Sequence, residues 1–121
     1  MIGYATIGTN DLEKAKAFYA KVLAPLGGQP AFASDRMQGY AGAGGAMLAV
    51  CTPYDGQKAF PGNGNMVALS AASPEVVDQV HKLALEAGGA DEGAPGKRMD
   101  NFYGAYFRDL DGNKVCVFKM G

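Results

Sequence analysis

Residues 4–28 (YATIGTNDLEKAKAFYAKVLAPLGG) and residues 66–89 (MVALSAASPEVVDQVHKLALEAGG) follow one pattern. Each begins with a short strand-like segment, passes through a polar turn and continues as an amphipathic helix that two glycines end. The offset between the copies is 62 residues at the start and 61 at the paired glycines. A repeat of this length predicts two copies of one structural unit, with a natural ligand site in the concavity between them.

A second repeat follows each helix. The segment Tyr40–Cys51 (YAGAGGAMLAVC) aligns with Phe107–Phe118 (FRDLDGNKVCVF) at an offset of 67 residues, which places Gly45 on Gly112. Both segments predict strands joined by a glycine turn. Each copy is therefore expected to fold as βαβββ. The chain is expected to be one α+β domain over residues 1–121, with module one at 1–60 and module two at 61–121.

Local signals predict where several elements begin and end. Asn10 followed by Glu13 has the spacing of a helix start, and Ser73 is a good cap for the second helix. Residues 91–97 are rich in Gly and Pro and are expected to form a loop. Residues 109–113 (DLDGN) predict a turn, in which the aspartate side chains are expected to hydrogen-bond the local backbone.

Composition excludes several classes of function. The chain has 121 residues, 48% hydrophobic and 19% charged, which is typical of a globular domain. Its net charge is −1 and no Lys or Arg cluster forms a stripe, so nucleic-acid binding is not expected. No apolar run approaches a membrane span of ~20 residues and no signal peptide precedes the first strand, so a cytoplasmic protein without membrane contact is expected. Cys51 and Cys116 lack CxxC spacing and are expected to be free thiols.

The repeat carries recognisable motifs. They are the opening Ile7–Ala15 (IGTNDLEKA) with Phe18-Tyr19 in the helix, the second opening Met66–Leu69, and the closing Phe107–Lys114 (FRDLDGNK). Together they resemble the vicinal oxygen chelate superfamily, which includes glyoxalase I, bleomycin-resistance proteins, fosfomycin-resistance enzymes and extradiol dioxygenases. The resemblance implies two tandem βαβββ modules in a curved, cup-like mixed sheet, the glyoxalase-like fold, and commonly a homodimer.

The resemblance also locates four strand positions at which metal-dependent members place His and Glu ligands. In this chain these positions hold Tyr4, Ala49, Met66 and Cys116. A phenol, a methyl group, a thioether and one thiol do not form a chelate for a divalent cation. No metal and no other cofactor is therefore expected.

Strand alternation extends these four positions to a full cup lining, because every second side chain points to the same face. The predicted ligand-binding residues are Tyr4, Thr6, Met47, Ala49, Cys51, Met66, Ser70, Lys114 and Cys116. Such a lining suits a small, flat or partly apolar organic molecule. In the alternative, the methionines fill the cup as ordinary core. Cys116 could also act as a nucleophile, with Lys114 lowering its pKa.

His81 is the one histidine, which excludes any site that needs two. It is either a lone general acid or base, or a helix side chain satisfied by solvent or backbone.

The residues leave two functions open. The first is metal-independent binding of a small organic molecule, in the manner in which bleomycin-resistance members sequester a drug. The second is an enzyme of lyase, isomerase or dioxygenase type with an atypical active site. To be metal-dependent, such an enzyme would have to recruit ligands from Asp55, Asp100 or a partner chain. A homodimer is expected in either case, pairing around Ile2 and Phe60, because two helices cannot cover the faces and edges of about eight strands.

Overall fold

The first module forms a mixed four-stranded sheet with one helix, and the computed structural model describes all residues from 1 to 121. Its strands lie in the order β1-β4-β3-β2, with β1 parallel to β4 and the other pairs antiparallel. The elements are β1 (Tyr4–Gly8), α1 (Leu12–Leu23), β2 (Gln29–Ala33), β3 (Met37–Ala41) and β4 (Met47–Cys51).

The second module repeats this arrangement in the order β5-β8-β7-β6, again with one parallel pair, β5 with β8. Its elements are β5 (Val67–Ser70), α2 (Pro74–Glu86), β6 (Ala90–Met99), β7 (Phe102–Arg108) and β8 (Lys114–Met120). The predicted βαβββ repeat is confirmed. Gly45 and Gly112, which the repeat aligned, both adopt left-handed backbone conformations, with φ of 90° and 86°. Glycine suits both turns because a Cβ disfavours that region.

Two local predictions need correction. Helix α1 is capped by Asp11, which accepts a hydrogen bond from the Lys14 backbone N–H at 3.1 Å, and not by Asn10. The Asn10 side chain is already engaged, because its amide bonds both the N–H and the C=O of Ala59 in the linker. By contrast Ser73 caps α2 as predicted and accepts from the Val76 N–H.

The second correction concerns residues 91–97, which are part of strand β6 and not a loop. The strand pairs only with β7, and its register shifts three times along the pairing. An edge strand tolerates Pro95 and several glycines, because one side of its backbone needs no ladder partner and bulges absorb the irregularity.

Both helices pack on the same side of the sheets and share one core. The ring of Phe18 on α1 lies 6.2 Å from the ring of Phe107 on β7, which joins the two modules. The core strand residues include Leu48 and Val50 on β4, and the alternate residues on each strand point away from the helices. We call this second face of the two sheets the open face. Neither helix is long and apolar enough to cross a membrane.

The turn at residues 109–113 also joins the modules. The Tyr19 hydroxyl of α1 donates to Asp109 Oδ2 at 2.6 Å, and Asn113 Nδ2 donates to the Gly8 carbonyl at 2.9 Å. The Asn10 N–H donates to Asp111 Oδ1 at 2.9 Å. The aspartates shape their own turn, as expected from the sequence, and in addition hold the first module against the second.

Candidate functional site

Strand alternation places the predicted ligand-binding residues on the open face, but they differ in accessibility. Tyr4 is 60% exposed and Met66 is 47% exposed, while Thr6 and Ser70 are also exposed. Met47 and Lys114 are half-buried. These six can be reached from solvent.

The other three, Ala49, Cys51 and Cys116, are buried. Ala49 lies beside Gly39 in the β3–β4 ladder, and the Phe32 ring occupies the position that a Cβ on Gly39 would take. That ring covers the middle of the first sheet. The open face is therefore filled around Ala49 by Phe32, a residue that the methionine alternative did not name, whereas the seam between the modules stays open.

The seam contains a partly open cleft of about 290 Å³ between the edge strands β1 and β5. Its walls are Thr6–Gly8 of β1, Met66-Val67, Asn113-Lys114 and, from the linker, Phe60-Pro61 and Asn65. Both modules and the linker thus line one concavity. The sequence did not predict the linker contribution, because nothing in this Gly- and Pro-rich segment indicates which side chains fold back on the seam.

The metal-ligand positions of the resembled superfamily do not fit a metal here. Tyr4 is a largely exposed phenol, Ala49 has no donor and Met66 offers only a thioether. Burial raises the pKa of the Cys116 thiol, which disfavours the thiolate that a metal needs. No three His, Cys, Asp or Glu side chains in the chain come together as a possible metal site.

Burial also disfavours the thiolate form of Cys116 that a nucleophile needs. Desolvation raises the pKa of its thiol, and the opposing effects of the Tyr106 hydroxyl, Arg98 and Lys114 do not reverse the shift. The prediction that Lys114 lowers the pKa of this thiol was therefore right in direction and wrong in outcome. The residue is only 1% exposed, so burial dominates.

His81 faces the helix side of the second sheet and not the open face. It is 7% exposed, and its Nε2 lies 3.0 Å from Asp91 Oδ1 at the start of β6. The pKa of the Asp91 carboxyl is lowered, first by the hydrogen bond from the Gly93 N–H and then by His81. Neither expectation for His81 included a carboxylate partner. Asp91 was placed in a predicted loop, so the sequence did not indicate that it pairs with helix α2.

The acidic residues considered as replacement metal ligands lie outside the cleft. Asp55 is in the linker, where its Oδ1 accepts from the Gln57 N–H. Asp100 lies at the β6–β7 turn, beside a separate depression near Lys97 and Tyr103. The two carboxylates line different regions and do not form a pair.

A cationic cluster on the open face of the second sheet was not predicted as a unit. The Arg98 guanidinium carbon and Lys114 Nζ lie 5.4 and 5.6 Å from the centroid of the Tyr106 ring. Lys114 belonged to the predicted lining, but Arg98 follows directly after the segment predicted as a loop. Tyr106 lies opposite Cys116 in the β7–β8 ladder, so alternation along β7 could have identified it.

Comparisons with known proteins agree with this architecture. The sequence profile of the Glyoxalase/Bleomycin resistance protein/Dioxygenase superfamily matches residues 1–117. A glyoxalase/bleomycin resistance protein from Albidiferax ferrireducens T118 has 36% sequence identity and a TM-score of 0.92, over 100% of this chain and 99% of that one.

More distant structures show the same fold. A glyoxalase/bleomycin resistance protein/dioxygenase family enzyme from Burkholderia phytofirmans PsJN has 19% identity and a TM-score of 0.79, over 98% of each chain. A glyoxalase-related enzyme from Fulvimarina pelagi has 21% identity and a TM-score of 0.77, over 98% of this chain and 87% of that one. No match was found among curated proteins. The chain belongs to the glyoxalase/bleomycin resistance protein/dioxygenase superfamily.

Proposed function

We propose that this protein binds a small organic molecule, without a metal cofactor, in the cleft between its two modules. The observation that carries the proposal is the cleft itself, which combines exposed apolar side chains such as Met66 with the polar groups of Thr6, Asn113 and Lys114. A concavity that joins apolar side chains to a few convergent polar groups is the usual form of a small-molecule site. Its volume of about 290 Å³ suits a small ligand.

Metal independence is supported by the donor set at Tyr4, Ala49, Met66 and Cys116, which offers no carboxylate or imidazole. A metal-dependent form of the competing enzyme hypothesis would draw ligands from Asp55, Asp100 or a partner chain, and neither aspartate lines the cleft. A partner chain is the one source of ligands left to that hypothesis. We expect elemental analysis of protein purified without chelator to find no zinc, nickel, iron or manganese near one equivalent per chain.

We also propose that the protein is a homodimer in a reducing, cytoplasmic setting. Cys51 and Cys116 are both free thiols, which is typical of such a compartment. The dimer is supported by exposed apolar residues, above all Phe60, which lines the cleft and is 82% exposed, and Ile2, which precedes β1 and is 72% exposed. Pairing at this edge would deepen the cleft from outside.

The binding proposal is tested by native mass spectrometry of the purified protein, followed by identification of released small molecules. We expect a co-purifying organic molecule whose re-addition raises the melting temperature, because a ligand that binds only the native state stabilises it. Asn65→Trp should obstruct the cleft and abolish that shift, whereas Gln79→Trp on the exposed side of α2 should not. A melting shift that survives obstruction of the cleft would place the ligand elsewhere and refute the proposal.

A further inference from the structure

Two positive charges lie beside one tyrosine ring on the open face of the second sheet. Arg98 and Lys114 are both within cation–π distance of Tyr106, at 5.4 and 5.6 Å from its centroid. Both charges therefore lie within 6 Å of the centre of the Tyr106 ring, Arg98 on the neighbouring strand β6 and Lys114 on the neighbouring strand β8. Lys114 also lines the cleft, so this region is continuous with the proposed site.

The strands supply almost no negative charge to balance this pair. All eight strands together contain two carboxylates, Asp91 and Glu92. Asp91 contacts helix α2 on the other side of the sheet, and Glu92 Oε1 accepts from Arg108 Nε at 2.7 Å. Neither Arg98 nor Lys114 takes part in any of the four salt bridges of the chain. This part of the open face is therefore positive although the protein carries a net charge of −1.

Two glycines shape the place where the guanidinium lies. A Cβ on Gly96 would be 2.9 Å from Arg98 Nη1, and a Cβ on Gly93 would be 3.3 Å from Nη2. The Nη2 group donates to the Ala94 carbonyl at 2.5 Å. The side chain thus lies flat along its own strand, and its remaining N–H groups are available to a ligand.

An aromatic surface adjoins the charged region. The rings of Phe102 and Phe118 are stacked, with centroids 5.2 Å apart and an angle of 6° between their planes. The Phe102 ring lies over Gly104, where a Cβ would be 2.7 Å from it. Gly104 is two residues from Tyr106 on β7, so the aromatic pair is roughly 7 Å along the strand from the cationic region.

We propose that this face recognises an organic carboxylate, with its carboxylate bound by Arg98 and Lys114 and its flat apolar part against Phe102 and Phe118. The proposal rests on the proposed function and names the chemical class of its ligand. A guanidinium matches a carboxylate with two parallel hydrogen bonds, and the lysine adds a second charge. The stacked rings favour an aryl or short hydrocarbon body over a fully polar anion.

The test is a titration of ¹⁵N-labelled protein with phenylacetate, with its neutral analogue phenylacetamide and with inorganic phosphate, followed by NMR. We expect phenylacetate to bind saturably and to shift the amide signals of Gly96 and Tyr106. Arg98→Gln and Lys114→Gln should each weaken binding by about tenfold or more. Gly96→Ala should also weaken it, since the added methyl displaces the guanidinium while the charge is kept.

Lys97→Gln is the matched control. Lys97 pairs with Tyr103 in the β6–β7 ladder, and the Tyr103 hydroxyl contacts helix α2, so the variant removes one positive charge from the helix side of the same strand. It should bind phenylacetate as the wild type does. Equal binding of phenylacetamide, equal competition by phosphate, or an equal loss in Lys97→Gln would overturn the carboxylate proposal. A co-purifying neutral molecule that binds in the cleft would then leave the proposed function standing. Absence of any binding or co-purifying molecule would contradict both.

Discussion

Asp109 is a buried carboxylate surrounded by donors from both modules. Its oxygens accept from the Tyr19 hydroxyl, the backbone N–H groups of Asp111 and Asn113, and the Asn113 side-chain amide. A buried charge is tolerated when its hydrogen-bonding capacity is filled in this way. Burial, followed by the charge of Asp109, raises the pKa of Tyr19 well above its usual value, so its hydroxyl remains a donor.

We predict that Tyr19→Phe destabilises the protein by about 1–3 kcal/mol, because it leaves the buried Asp109 carboxylate without one of its donors. Tyr103→Phe is a matched control. Its hydroxyl also donates to an aspartate at 2.6 Å, but that bond with Asp78 is exposed, so its loss should cost much less than the loss of the buried bond. Urea unfolding of both variants measures the difference. Equal losses would show that the buried position of the first bond is unimportant.

The lowered carboxyl pKa of Asp91 predicts how the stability of the fold depends on pH. Its carboxyl pKa is lowered by the Gly93 N–H and by His81. Its stabilising effect is therefore complete above the unfolded pKa of about 3.9 and disappears as the pH falls through the lower folded value. Asp91→Asn should be less stable than the wild type at neutral pH, and the difference should vanish in acid.

The measurement for Asp91 is the free energy of unfolding in urea between about pH 7 and about pH 3. Asp35→Asn serves as the control, because Asp35 is exposed and takes part in none of the four salt bridges. A difference between Asp91→Asn and the wild type that stays constant over the whole range would contradict this account.

Among the elements, β4 and β6 differ in how well their sequences predict a strand. Strand β4 lies inside its sheet between β1 and β3, and its continuous apolar sequence made it predictable. Strand β6 lies at an edge, where Gly93, Pro95 and Gly96 are tolerated, so its sequence has the composition of a loop. The apolar periodicity of the helices, the glycine turns and the duplicated register could all be predicted from sequence.

The candidate site was predictable only in part, for a related reason. Alternation fixed which face each strand residue occupies, but it could not show that the Phe32 ring covers Gly39 beside Ala49. Accessibility depends on side chains from neighbouring strands that are distant in sequence. Arg98 was interpreted as a loop residue because the strand that carries it was not predicted. The linker residues that line the cleft were not predicted, because a segment without apolar periodicity does not indicate the direction in which its side chains point.

We predict that Ala49→Phe destabilises the protein by about 1–3 kcal/mol, because Ala49 is fully buried and a larger side chain overpacks its surroundings. Ala68→Phe makes the same change at an exposed position on the same face, in β5, and should alter stability by less than about 0.5 kcal/mol. Chemical denaturation distinguishes them. A neutral Ala49→Phe would mean that the first sheet also holds an open pocket.

For the whole molecule, the two modules share a core on one side, and no helix covers the open face or the edge strands β1 and β5. The accessible surface is 6845 Å². A compact monomer of 12.5 kDa is expected to expose about 6,200 Å². The excess of several hundred Å² approaches the roughly 800 Å² that each partner buries in an ordinary stable interface.

We therefore predict a homodimer of about twice the 12.5 kDa chain mass at micromolar concentration, measured by sedimentation equilibrium. Phe60→Asp and Ile2→Asp should each shift the protein toward monomer, because each places a charge at an exposed apolar position of the proposed interface. Leu85→Asp, at an exposed apolar position on helix α2, should leave the mass unchanged. If the wild type sediments as a monomer, the exposed edge serves no self-association, and the cleft must be completed within a single chain. If only Leu85→Asp dissociates the dimer, the interface lies on the helix side and the cleft faces solvent in both subunits.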